Sequence, residues 1–220
     1  MIVSKFRFAI VTGAVALLLM GCSATSSPEE SLQDVMEETV SKEKPYAEAQ
    51  KPLQELEKKE QNLYETIMGL GMKEMDKIQE LSDEALKNVD KRKEYIQKEQ
   101  TSMDEAKETF ADASKYIEKL DNADLKKQAQ SLEKTMKVRY ELHGKLTKSY
   151  LNVLDGDKEL YEMLKKEDLT MEQLEKQVTS INKEYEKVSK LNDEYNDKTN
   201  EYNEAKKDLY SNEAFEEKKD

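Results

Sequence analysis

The chain has 220 residues and a formal net charge of -12, from 36 Lys and Arg against 48 Asp and Glu, and 38% of its residues are charged. That length gives one or at most two domains, and the acidic balance excludes the bulk basic footprint of a nucleic-acid binder. The single Cys and single His exclude a disulfide framework and the usual Cys- and His-built zinc sites.

Met1 to Met20 begins with Lys5 and Arg7 and continues as an apolar run from Phe8, the layout of a secretory signal. A run of this length rises only about 20 Å as a helix, short of the roughly 30 Å hydrocarbon core, so a permanent transmembrane anchor is the weaker reading. The run ends Leu19-Met20-Gly21-Cys22, which resembles a bacterial lipobox. The resemblance implies a signal peptide over residues 1–21 and a diacylglyceryl group on the sulfur of Cys22. Two acyl chains hold a protein stably to a bilayer where one is marginal. The alternative is an ordinary signal peptide that leaves Cys22 a free thiol. Residues 22–31, small and polar with Pro28, read as the lipidated Cys and a flexible tether. The body, residues 32–220, is expected as a single domain at the outer face of the cytoplasmic membrane, facing the cell wall.

The body reads as helix almost throughout. Its first stripe runs from Leu32 to Leu70, with a break expected near Pro45 and a kink near Pro52. Gly69-Leu70-Gly71 marks a bend. Met75 to Leu120 then carries a seven-residue repeat whose two apolar rows only Ser82, Arg92 and Glu99 interrupt. The repeat predicts one continuous helix. Asp121 or Asn122 offers the next cap, and a stripe from Leu125 through Arg139, His143 and Tyr150 to Val153 is expected to end at Asp155-Gly156-Asp157. A short amphipathic piece follows. Thr170 to Gln173 has the form of a capping box, and behind it runs a heptad seam: Met171, Leu174, Val178, Ile181, Tyr185, Val188, Asn192, Tyr195, Thr199, Tyr202, Lys206 and Leu209. The fold class expected is all-α, an elongated up-and-down helical bundle with long coiled-coil-like helices.

Several stretches carry a resemblance: Pro52 to Gln61, Leu70-Gly71-Met72-Lys73-Glu74, Leu81 to Leu86, and Asp157-Lys158-Glu159-Leu160-Tyr161. Together they are similar to the YkyA family of Gram-positive lipoproteins, over essentially the whole chain. The resemblance implies a helical, extracytoplasmic lipoprotein that binds the cell wall, and it carries no catalytic motif.

The chemistry-bearing residues are few. His143 lies on an apolar stripe in mid-helix, where a buried seam position explains it better than catalysis or metal binding. Gly144 beside it is read as a close approach of a neighbouring helix. A glycan-cleaving enzyme needs only one or two carboxylates, but the scarcity of Gly and the lack of Trp argue against a sugar cleft. The reading is therefore a non-enzyme with no cofactor and no metal.

The last helix places Tyr185, Tyr195 and Tyr202 on its seam, with Tyr210 just past it. These rings either pack inside with their hydroxyls outward or form a strip that stacks on wall sugars or a partner protein. Removing residues 1–21 takes away Lys5 and Arg7 and leaves 34 bases against 48 acids, or -14. Anionic wall polymers and lipid headgroups repel such a body, so wall recognition has to be local or bridged by divalent cations. Three partner readings follow: peptidoglycan; another envelope protein, docked by a membrane-tethered scaffold; or a second copy, paired through Tyr185 to Leu209.

Overall fold

The computed structural model describes residues 26–216; Cys22 and the signal-like segment lie outside the described residues. Among the described residues seven α-helices follow in order: α1 Pro28–Lys42, α2 Lys44–Gly69, α3 Met75–Ala111, α4 Ala113–Ile117, α5 Ala123–Leu164, α6 Met171–Tyr210 and α7 Glu213–Glu216. A 3-10 turn over Met72–Glu74 precedes α3. No strand occurs among the described residues, so the protein is all-α.

Local chemistry explains several of the boundaries. Helix α1 begins at Pro28, inside the expected tether, because Ser27 and Glu30 close a capping box. The Glu30 amide donates to Ser27 Oγ at 3.1 Å and the Ser27 amide to Glu30 Oε2 at 3.2 Å. The expected break near Pro45 falls at Glu43, since Pro45 is tolerated only in the first turn of a new helix. Pro52 lies within α2, which continues through it to Gly69. Asn122 Oδ1 accepts from the amides of Asp124 and Leu125 and starts α5. Thr170 and Gln173 exchange their amide-to-side-chain bonds ahead of α6, at 3.0 and 3.3 Å.

Three sequence expectations fail. The single helix from Met75 is divided at Asp112 into α3 and α4. Asp155-Gly156-Asp157 does not end α5, which runs on to Leu164. Gly156 is there for another reason: a Cβ on it would lie 3.0 Å from Cγ1 of Ile181, so its bare backbone lets α6 pack close. Gln177 Nε2 donates to its carbonyl at 2.9 Å. The close approach is not at Gly144, where a Cβ would meet nothing within 4 Å.

The chain divides into two compact units. The first comprises residues 26–44, Ser102–Leu142 and 194–216; the second comprises Pro45–Thr101 and His143–Asp193. In the first, Leu32, Met36, Met103, Phe110, Ile117, Leu125, Leu132, Met136 and Leu209 are buried, and Phe110 meets the Tyr202 ring edge-on at 6.3 Å. In the second, Leu53, Ile67, Val89, Ile96, Val153, Leu154, Tyr161 and Val188 are buried. Each unit is a core of apolar stripes from antiparallel helices, which is what a repeat of three and four residues requires.

Candidate functional site

Each unit holds one buried arginine, and the two centres are built alike. In the second unit Arg92 of α3 is fully buried. It takes a seam position where an apolar residue would otherwise sit, and its donors are met from two other helices. Nη1 donates to Asp157 Oδ2 at 3.1 Å and Nε to the Tyr150 hydroxyl at 3.0 Å, both on α5, while Nη2 donates to the Tyr185 hydroxyl on α6 at 3.0 Å. The Tyr150 hydroxyl in turn donates to Glu57 Oε1 of α2 at 2.5 Å, and the Tyr161 hydroxyl donates to Glu60. All four helices of the unit thereby share one polar core. Two turns further along α3, Glu99 accepts from Gln50 Nε2 at 2.6 Å.

Acids exceed the single cation in this core, and burial acts on them accordingly. Burial lifts the Glu99 carboxyl to about 8, helped by the charge of Glu57. It also lifts Glu57, against the pull of Arg92 and the bond from Tyr150. Asp157 is raised by burial to about 7 even though Arg92 favours its charged form. The guanidinium itself stays charged throughout.

In the first unit Arg139 of α5 is 4% exposed. Glu43, the residue between α1 and α2, takes it as a two-pronged pair at 2.6 and 2.9 Å. Nη2 also donates to the Tyr195 hydroxyl at 2.7 Å and Nε to Thr199 Oγ1 at 3.0 Å, and the Tyr140 hydroxyl donates to Glu43 Oε1 at 3.1 Å. The break that Pro45 imposes is thus tied to α5 and α6 by one guanidinium.

These centres account for the tyrosines of the last helix. Tyr195 and Tyr202 are 2% and 4% exposed, the Tyr185 hydroxyl lies on Arg92, and the half-buried Tyr210 donates its hydroxyl to Glu37 of α1 at 3.2 Å. They do not form an exposed strip, and their hydroxyls turn inward to charged partners. The exception is the buried Tyr202 hydroxyl, which has no hydrogen-bond partner. The sequence showed the polar interruptions Arg92, Glu99 and Arg139 but not their partners, because Glu43, Glu57 and Asp157 look like any other acid in a helix this charged. Of the seam, Met171 is exposed, while Leu174, Ile181, Val188, Asn192, Tyr195, Tyr202 and Leu209 are buried. His143 is buried edge-on to Tyr46, with ring centroids 5.4 Å apart.

Arg92, Asp157 and Arg139 are buried in these centres, while Glu43, Glu57 and Tyr185 are half-buried. Outside them, a shallow open depression lies along α6, lined by Glu172, Glu175, Lys176, Thr179, Ser180 and Lys183. All six come from one helix, so it is a surface strip rather than a cleft. Among the described residues no three His, Cys, Asp or Glu side chains gather as metal ligands, and no helix is long and apolar enough to cross a membrane. The outer face of α3 in the second unit differs: Lys87, Lys91, Tyr95 and Lys98 recur at helical spacing. The Lys98 ammonium stands 5.1 Å from the centroid of the half-exposed Tyr95 ring.

Comparison with known proteins matches residues 27–212 to the YkyA family model, described as "Putative cell-wall binding lipoprotein". An uncharacterized lipoprotein, YkyA, of Bacillus subtilis (strain 168) is 38% identical over 206 residues, 94% of this chain and 92% of that protein. A crystal structure of a conserved Staphylococcus aureus protein of unknown function superposes with a TM-score of 0.57 at 19% identity, covering 85% of this chain and 97% of the other. That likeness bears on the fold alone.

Proposed function

The chain belongs to the YkyA lipoprotein family, and from that premise we propose a lipid-anchored protein on the outer face of the cytoplasmic membrane that binds the cell wall and catalyses nothing. Diacylglyceryl on Cys22 is the anchor in this reading. The family match carries it, together with the Leu19-Met20-Gly21-Cys22 sequence. Because the last-helix tyrosines are occupied inside the units, wall contact falls to outward groups. The best suited are Lys87, Lys91, Tyr95 and Lys98 of α3: a ring face for sugar stacking beside ammonium groups for anionic polymer. The same occupation weighs against a partner-docking scaffold or a self-paired dimer that would use the seam from Tyr185 to Leu209.

The test is sedimentation with purified peptidoglycan, with and without magnesium, of a fragment lacking residues 1–25. We expect the fragment to sediment, and Tyr95→Ala with Lys91→Glu and Lys98→Glu to abolish this while the helical circular dichroism is kept. Absence of sedimentation in both conditions refutes wall binding. Turnover of labelled glycan strands refutes the non-enzymatic reading.

A further inference from the structure

We propose that the end of the first unit formed by the start of α1, α4 and the turn before α5 rests on the membrane surface, with Tyr116, Lys115 and Lys119 among the lipid headgroups. This rests on lipidation of Cys22 and goes beyond it: the acyl chains hold the protein, and the second contact sets how the first unit stands.

Helix register identifies the end. Ser102 Oγ donates to the Lys42 carbonyl at 2.6 Å and Lys42 Nζ pairs with Glu105 at 3.5 Å, so the last turn of α1 lies level with residues 102–105. From there α3 and then α4 run back along α1, against which α4 packs. Both paths cover about fifteen residues, roughly 22 Å at the rise of an α-helix. Ile117 and the turn to α5 therefore arrive level with Pro28. Between Cys22 and the capping residue Ser27 there are five Cα steps, which reach at most about 18 Å. An anchored sulfur keeps Ser27, and with it the start of α1, within that distance of the headgroups.

The side chains there suit the interface. Tyr116 is half-exposed, with Lys115 Nζ 4.8 Å and Lys119 Nζ 5.9 Å from its ring centroid. An amphipathic ring beside long-stemmed ammonium groups is the combination that settles at the water boundary of a bilayer. Acids share the end: Glu29 and Glu30 on α1, Glu118, Asp121 and Asp124 around the turn, and Asp112, which pairs with Lys115 at 3.1 Å. The contact is consequently short-ranged, ammonium to lipid phosphate and ring to glycerol, because bulk charge does not attract this end to an anionic surface. A short tether holds the end at a local concentration near the millimolar range, so an interaction too weak to recruit a free protein is populated.

The experiment uses the full lipidated chain in vesicles of phosphatidylglycerol and phosphatidylethanolamine. Lipidation consumes the Cys22 thiol, so a single introduced Cys takes an environment-sensitive fluorophore uniquely. A probe at Glu118→Cys should shift to the blue and be quenched by spin-labelled headgroups, whereas one at Glu105→Cys, near the last turn of α1, should keep its emission in water. Adding Tyr116→Ser and Lys119→Glu should return the first probe to the water value with circular dichroism unchanged. Water-like emission from both probes, with mass spectrometry showing the diacylglyceryl group on Cys22, overturns the proposal and leaves the anchor standing. An unmodified Cys22 overturns both. A shift at Glu118→Cys that survives the double substitution overturns the assignment to these side chains.

Discussion

Two tyrosines on one seam of α6 behave oppositely because of what their hydroxyls meet. Tyr195 accepts from the charged Arg139, and losing a hydrogen bond to a charged group costs about 1.5–3 kcal/mol. Tyr202 buries a hydroxyl with no partner, so its removal relieves a desolvation cost. Urea unfolding should show Tyr195→Phe clearly destabilised and Tyr202→Phe neutral or more stable. Glu99 gives a pH signature. Its folded-state value of about 8 lies above the ordinary 4.5, so the folded chain keeps a proton that the unfolded chain has released. Stability is therefore greatest below about pH 4.5 as far as this group is concerned, falls as pH rises, and levels off above about pH 8. Asp157 and Glu57, also raised by burial, add slopes of the same sign. Urea midpoints measured from pH 5 to 8 should decline, and Glu99→Gln, which keeps an acceptor for Gln50, should remove part of that decline.

Among the elements, the two glycines of α5 separate propensity from packing. Gly144 is exposed with open space around its Cα, so Gly144→Ala should stabilise by about 1 kcal/mol. Gly156→Ala would drive a Cβ against Ile181, and the overpacking, about 1–3 kcal/mol, should outweigh the same propensity gain. Thermal melts of the two variants check both signs. The same pair shows what was legible in the sequence. Helix class, the caps at Asn122 and Thr170 and the break before Pro45 are written in neighbouring residues, and so could be read. Whether a glycine ends a helix or admits a neighbour depends on a side chain such as Ile181, twenty-five positions away in the chain. No local pattern marks that. The rings pack inside as their seam positions imply, but the inward turn of their hydroxyls could not be read, because their partners are single charges in a chain full of charge and only the fold selects Arg92 and Arg139. The break at Asp112 has no proline or glycine to announce it.

For the molecule as a whole, each unit has its own arginine centre and its own apolar core, so damage should be local. Arg92→Met leaves Asp157 buried without its cation and should cost about 3–5 kcal/mol, as breaking one side of a buried pair does. Arg139→Met removes the cation from the half-buried Glu43 and should cost less, because water reaches that carboxylate. Native-state hydrogen exchange should show protection lost mainly in Pro45–Thr101 and His143–Asp193 for the first variant, and mainly in Ser102–Leu142 for the second. Equal loss everywhere in both would mean that the units unfold together. Long heptad helices have a characteristic failing: their greasy rows look the same after a slide of seven residues, so neighbours can mesh one notch out of step. A guanidinium with fixed counterparts on two adjoining helices removes that ambiguity, since any slipped mesh would strand a cation in hydrocarbon. The polar lapses in the pattern act as the teeth of a key, and the chain gives up some greasy contact to have a single way of closing.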